Sequence, residues 1–501
     1  MASDSLRQRA VRGGAIFLAV RLCVQLFQWS VTLSVARWLL PDDYSVMTVG
    51  AMFVGFADIL ADAGIGKAIV FKKEIDDDDL AQGFSVGLAL STLMYAGIFV
   101  LAPFLGQHAH STNPDLNISS FCVFLRVLAL VLFLVPLRSI GNAILERDFR
   151  LGRQSLAQLG GALMQAATVL ILAWLGYGYW ALASGVLISR TLEAVFVAVA
   201  AQWRPRLALP SARSWQLLRF GMHISLATLF WMTYSNADYA VAFALFPSAV
   251  LGYYALAFEM MAMPVQKFSV TINQVMFAYF SRHQDDRELL RDWYLRLAAL
   301  MTALAAPVLV GLALVASDAL PLLLTEKWRP AVLPFQILCP VGVLMIVGSS
   351  LAQMISARGR PDILVRYNFV CAIVYPLAFS YAASEFGFLG LCLVWPILYP
   401  TLFFSLIHLT RHITGITIPG LLHSQRVVLT GLAFMVTTVL IAQNFLQHDP
   451  RPWLRLIVAI AVGALSYAAF MLTLAKQTLL VDLRKLWTDL RGRKAPPPAL
   501  S

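Results

Sequence analysis

The sequence predicts an all-α polytopic membrane protein of about fourteen transmembrane helices, and three observations predict it. Its 501 residues are 59% apolar and 13% charged, with a mean hydropathy of +0.73. Soluble globular chains run at roughly 45–50% apolar and about 25% charged, so no soluble core would hide this much apolar surface. The apolar residues come in runs of about 20, the length a helix needs to cross hydrocarbon. Lys and Arg then fall mostly in every second gap between those runs, the bias that orients inner-membrane proteins.

The runs follow in order. A basic tail, 1–12, precedes the first; that run is too long for a signal-peptide core and lacks a small-residue cleavage site, so the tail is read as retained. Six runs near 13–37, 43–65, 81–104, 117–139, 154–175 and 178–201 form an N-lobe, 13–201. A linker, 202–213, leads to a C-lobe, 214–408, with runs near 214–245, 250–279, 293–316, 331–356, 364–383 and 387–408. An extra pair near 426–445 and 453–475 and a basic tail, 476–501, close the chain. The seventh and eighth runs are longer and more polar than a crossing needs, which predicts tilt or a kink, with Pro264 as its seat.

With both termini cytoplasmic, the inner segments hold 29 of the 38 Lys and Arg residues and the outer loops five: Arg37, Lys327, Arg329, Arg451 and Arg455. The formal net charge of +11 is thereby assigned to membrane orientation rather than to nucleic acid. The basic C-terminal tail at most touches anionic lipid headgroups.

Loop length limits the chemistry. The longest outer connections, near 105–116 and 317–330, are about a dozen residues, too short to hold an acceptor sugar and a catalytic carboxylate. The stretch from Ala61 to Ala68 superficially looks like a phosphate-binding loop, but lacks its first Gly and final Ser/Thr and follows a span instead of a strand. The expectation is a protein that is not an enzyme and has no cofactor. The five cysteines lie inside apolar runs without CxxC spacing and read as small apolar side chains.

An internal repeat is visible. Leu40-Pro41-Asp42-Asp43-Tyr44 opens the second span and Phe246-Pro247-Ser248-Ala249-Val250-Leu251-Gly252-Tyr253-Tyr254 the eighth. Both are tight proline-containing outer turns. Six spans separate them, an even number, so the halves are expected to be parallel repeats.

Ala36-Arg37-Trp38-Leu39-Leu40-Pro41-Asp42-Asp43-Tyr44, followed by Ala61-Asp62-Ala63-Gly64-Ile65-Gly66-Lys67-Ala68, resembles the opening of Wzx-type polysaccharide flippases, more closely the WzxC-like branch of the MOP exporter superfamily. Residues 142–150 (Asn142 to Arg150), Trp203-Arg204-Pro205, Leu218-Arg219-Phe220-Gly221, 326–331 and 358–362 are similar to further stretches of that family, in the expected order. Ser45 departs from the Gly usual at the first turn. The resemblance implies a V-shaped pair of six-helix lobes that moves an undecaprenyl-diphosphate-linked oligosaccharide to the periplasmic leaflet. It also implies membrane lipids as surroundings, and a polysaccharide polymerase and chain-length machinery as possible partners. Na⁺ or H⁺ would be the coupling ion.

A sugar diphosphate cannot cross hydrocarbon unaided, so a cationic, wet cavity is required. Four basic residues lie within spans, Arg21, Arg126, Arg190 and Lys267. Each costs at least roughly 2.5–3.5 kcal/mol at mid-membrane on insertion scales, which makes each a candidate. Arg21, Gln25, Gln28 and Thr32 share one face of span one by i, i+4, i+7, i+11 spacing; the bland alternative is an ion pair from Arg21 to Asp58. Lys267, Thr271 and Gln274 make a similar stripe on span eight, with Glu259 as a structural partner in the competing reading. Arg126 has no visible partner, and Arg190 has Glu193 three residues on. Asp238, beside Thr233, Tyr234, Ser235, Asn236 and Tyr239, is the candidate ion-coupling carboxylate, with Asn236 as an oxygen ligand. Asp58 and Asp62 are read as structural, Asp76 to Asp79 as a solvated charge run, and His108 and His110 as solvated. His408 and His412 lack a third ligand for zinc. Two other functions stay open: a membrane enzyme of polysaccharide assembly, and an exporter of hydrophobic cations on the same fold.

Overall fold

The computed structural model describes residues 29–72, 74–114, 116–209 and 211–473, and among these it contains helices and no strand. Lipid offers a bare peptide group no hydrogen bond, so each crossing must close its own backbone. In order the helices are α1 (29–38), α2 (Pro41–Asp62), α3 (Ile65–Phe71), α4 (Asp77–Thr112), α5 (Ile118–Leu128), α6 (Val135–Arg147), α7 (Leu151–Trp174), α8 (Tyr179–Ala200), α9 (Ala212–Ser235) and α10 (Ala237–Leu245). Then come α11 (Ser248–Arg282), α12 (Arg287–Leu324), α13 (Val332–Ala357), α14 (Pro361–Thr414), α15 (Ile418–Leu446) and α16 (Pro452–Thr473). Short 3₁₀ turns, Ala129–Leu134 and Glu326–Ala331, join α5 to α6 and α12 to α13. The predicted Arg21, Gln25 and Gln28, both terminal tails and the side chain of Lys267 lie outside the described residues.

Eleven of the described stretches are long and apolar enough to cross a membrane. One of them, α14, has 54 residues, about 80 Å of helix at 1.5 Å per residue, and holds two crossings. Gly387 breaks it with φ 61° and ψ −147°, a conformation open essentially to glycine alone. The chain doubles back there, since the rings of Tyr375 and Trp395 lie 5.0 Å apart. Spans eleven and twelve of the sequence reading therefore meet at Gly387. Span seven is divided at Asn236 (φ −123°, ψ 9°) into α9 and α10, and Pro264 lies within a continuous α11. Span four runs on through α6 to Arg147, eight residues beyond its predicted end at 139.

Span two is also broken. Ala63 (φ 44°) and Gly64 (φ 67°) adopt left-handed conformations between α2 and α3. A Cβ on Gly64 would overlap the Gly221 carbonyl of α9, so this crossing of two backbones tolerates no side chain.

Contacts divide the chain into two compact units, residues 1–255 and 256–501, the boundary falling inside α11. In the first, α5 buries Phe121, Phe124 and Leu125, and the Phe124 ring meets the edges of Tyr179 (5.1 Å) and Trp180 (5.9 Å) on α8. In the second, Tyr279 stacks on Trp293 at 3.8 Å within a cluster that includes Tyr294, Met354 and Phe403. The last helix pair docks on α12 through polar bonds. Gln443 donates to the Leu314 carbonyl (2.9 Å), Tyr467 to the Ala303 carbonyl (2.9 Å), and Arg455 pairs with Asp318 (2.5 Å). Such bonds and close packing hold helices together where lipid removes the hydrophobic drive between them.

Candidate functional site

The charged residues of unit one's spans assemble into a chain. Arg138 on α6 donates from one terminal nitrogen to both oxygens of Asp58 on α2, at 3.2 Å each. Its other terminal nitrogen lies 4.0 Å from Glu193 on α8, which Arg190 also contacts at 3.3 Å. Two carboxylates and two guanidiniums thus neutralise each other across three helices. Both Arg138 and Glu193 are largely buried, with side chains 18% and 11% exposed. Asp62, one turn after Asp58, accepts a short hydrogen bond from the Ser139 hydroxyl. Beyond the α2 break, Lys67 pairs with Glu146 (3.4 Å), and Arg147 donates to the Ile69 (3.3 Å) and Lys72 carbonyls. These bonds tie α3 to the end of α6.

Arg190 thus takes the local Glu193 pair that its spacing allowed. Asp58, offered as a partner for Arg21, is held by Arg138. Arg138 is absent from the predicted site because the predicted end of span four placed it at the membrane surface. A signal for it did exist: Asp58 and Glu193 are carboxylates inside spans, and each calls for a cation.

Arg126, near the end of α5, lies over the Phe99 ring of α4 at 3.7 Å to the centroid and donates to the Phe99 carbonyl at 3.3 Å. A cation over an aromatic face is worth roughly 0.5–2 kcal/mol, less than the insertion cost of the charge. Its Nε is buried with no hydrogen-bond partner among the described residues.

Asp238 is wholly buried at the start of α10. One oxygen accepts the Tyr239 N–H and the other the Tyr254 hydroxyl, both at 2.8 Å, which pins α10 to α11. Asn236 donates to the Met232 carbonyl at 2.9 Å. In unit two Glu259, on α11, is exposed and makes no hydrogen bond or ion pair among the described residues.

Two predicted solvated groups are not solvated throughout. Asp79 is buried, accepts from Lys72 at 2.5 Å, and forms a capping box with Asp76 at the start of α4. The His108 ring nitrogen Nε2 lies 3.0 Å from the Phe243 carbonyl. Both corrections have one cause, since packing of a neighbouring element is invisible to a local pattern.

The turn at the start of α2 is a hub. Pro41 begins the helix, where its missing N–H costs nothing. One Asp43 oxygen accepts the Leu40 N–H (2.8 Å) and the other the Tyr179 N–H at the start of α8 (2.9 Å). Asp42 accepts from Asn113 at the end of α4 (2.9 Å). Gly252, in the second proline turn, packs so closely on Pro41 that a Cβ would overlap the Pro41 carbonyl. The two repeat-related turns thus touch backbone to backbone. Beneath them is a small apolar crevice lined by Ser45, Val49, Phe121, Phe243, Phe246 and Leu251.

Comparison with known proteins agrees with this architecture. Residues 34–333 match a family described as "Polysaccharide biosynthesis protein". The lipopolysaccharide biosynthesis protein WzxC of Escherichia coli (strain K12) is 25% identical over 398 residues, 78% of each chain. The succinoglycan biosynthesis transport protein ExoT of Rhizobium meliloti (strain 1021) is 23% identical over 472 residues, 93% of this chain and 92% of its own. Among solved structures, the lipid II flippase MurJ in an inward closed conformation superposes with a TM-score of 0.74 at 12% identity, covering 93% of this chain and all of that one. An inward-facing multidrug resistance MATE family transporter of the MOP superfamily reaches 0.57 at 18% identity, covering 83% and 98%. The chain shares the fold of these two solved structures.

Proposed function

Because the chain belongs to the polysaccharide biosynthesis protein family, we propose that it is a flippase. It carries an undecaprenyl-diphosphate-linked oligosaccharide from the cytoplasmic to the periplasmic leaflet of a bacterial inner membrane. The observation that carries this reading is similarity over nine-tenths of the chain to the succinoglycan biosynthesis transport protein ExoT. The shared fold with a lipid II flippase supports it. So do the short connections, since none between described spans is long enough for an acceptor-binding domain. The chain is accordingly proposed not to be an enzyme.

In this reading both termini are cytoplasmic, and lobes 13–201 and 214–408 alternate access around a cationic cavity. Arg21, Gln25 and Gln28 receive the diphosphate from one lobe and Lys267 from the other. Arg126, whose Nε is unbonded, is the further candidate among the described residues. Arg190 is the weakest of the set, because Glu193 already neutralises it. Na⁺ or H⁺ entry drives the cycle, with Asp238 and Asn236 as its proposed site. Polymerase and chain-length machinery would act on the product.

An exporter of hydrophobic cations has one observation in its favour, Glu259 on α11, which has no partner among the described residues. The first test is the sidedness of labelled undecaprenyl-diphosphate oligosaccharide in a deletion strain. Accumulation of the complete unit on the cytoplasmic leaflet is expected; its absence, or its presence unpolymerised outside, would reopen the enzyme reading. Arg21→Ala should abolish polymer export at unchanged protein level, and Arg21→Lys should do less harm if charge alone matters.

A further inference from the structure

Two of the family-like stretches, 142–150 and 203–205, lie outside the set of candidate substrate residues, and in unit one they converge. Trp203 packs on the cluster around Leu145 and Val197, and Arg153 on α7 donates to the Ala200 carbonyl at 3.1 Å. From Trp203 the chain runs without helix along α4 and is pinned there three times. The Trp203 ring meets the Phe84 ring edge-on at 5.7 Å, the Ala208 N–H donates to Ser85 Oγ at 2.8 Å, and Ser211 Oγ donates to Gln82 at 2.7 Å.

From this fixed frame three apolar side chains project outward: Phe149 and Leu209 are each 89% exposed and Leu207 is 74% exposed. Phe149 also has a positive φ of 56°, a conformation unfavourable for a bulky side chain, and its exposed ring gains no burial within the chain. Arg150, Arg204 and Arg206, on the same two stretches, are exposed; Asp148, also exposed, pairs with Arg150 at 3.6 Å. The acidic residues Asp76, Asp77 and Asp78 lie at the very start of α4. Ser85 is eight residues further along the helix, about 12 Å deeper at 1.5 Å per residue. Leu207 and Leu209, on either side of Ala208, are therefore set well along α4 from the acidic run, a separation that suits the bilayer edge and the water beyond it.

We propose that this face of unit one is a membrane-surface wedge. Phe149, Leu207 and Leu209 enter the headgroup–acyl boundary of the adjoining leaflet, and Arg150, Arg204 and Arg206 hold anionic phospholipid headgroups. Apolar residues interleaved with arginine are what binds such a surface, by buried area and charge attraction together. The same face in water would instead be a docking site for a soluble protein. The depth of Ser85 favours the bilayer.

The test uses the full chain with Cys23→Ser, which leaves four buried cysteines, and spin labels placed through Phe149→Cys or Leu209→Cys. The protein is reconstituted into phosphatidylcholine vesicles with and without phosphatidylglycerol. Relaxation by oxygen, which partitions into lipid, should exceed relaxation by a water-soluble nickel chelate at both sites, most strongly with phosphatidylglycerol. Adding Arg150→Glu and Arg204→Glu should remove the phosphatidylglycerol effect only. Dominant nickel relaxation in both membranes would overturn the wedge and leave the face to a soluble partner. A depth indifferent to phosphatidylglycerol, or to the arginine replacements, would overturn the assignment of anionic lipid.

Discussion

Among the described residues, removing the Arg138 side chain leaves Asp58 without a cation inside a span, and Glu193 with Arg190 alone. Breaking a buried pair from one side costs about 3–5 kcal/mol, since a bare charge remains behind. Arg138→Ala should therefore lower the thermal midpoint in detergent by several degrees, with the cost nearer about 3 kcal/mol because Asp58 is a third exposed. The doubly replaced Arg138→Leu, Asp58→Leu protein should recover much of the loss, and a midpoint unchanged by Arg138→Ala would show the pair to be solvated. Phe149 gives the opposite expectation. Its left-handed backbone costs roughly 1–2 kcal/mol in a non-glycine residue, so Phe149→Gly should raise the midpoint in detergent, where no bilayer rewards the ring. Arg190 and Glu193 were legible as a pair because three residues separate them on one helix. Asp58 and Arg138 are 80 residues apart, and no periodicity within either helix reports on the other.

Helices were legible where composition alone decides them and illegible where a neighbour does. The runs of apolar residues placed the crossings well, because lipid rewards length and apolarity with no further condition. The break at Gly387 falls at the predicted gap between spans eleven and twelve. Gly387→Ala should cost about 1–3 kcal/mol through backbone strain alone, since no atom lies near enough to clash with the new methyl. Calorimetry of the detergent-solubilised protein measures it, and no change in stability would mean the turn has another conformation. The bend at Ala63 was not legible, since alanine gives no sign of a positive φ; it follows from Gly64 crossing Gly221. The two roles of Asp43 were also hidden. A helix cap is a local pattern, but its second oxygen serves Tyr179, 136 residues away. Asp43→Ala should cost about 0.5–2 kcal/mol for the cap, and more if the α8 bond counts separately. Asp43→Asn should lose less, which unfolding of the two variants side by side would reveal.

At the scale of the molecule, hydropathy and charge placement gave the class, and the fold shared with the solved MurJ and MATE structures agrees with it. The orientation rests on the 29-to-5 bias of basic residues and is directly measurable. Impermeant thiol reagents added to intact cells should label Lys327→Cys and spare Arg150→Cys, and labelling of both or neither would overturn the topology. The division of contacts at Ala255 carries no mark in composition, because it depends on how the first turns of α11 pack on α2. That packing has a consequence for mutation. Where Gly252 meets Pro41, main chain touches main chain, and main chain has no rotamers with which to make room. A single methyl group at residue 252 would act as a wedge that never withdraws.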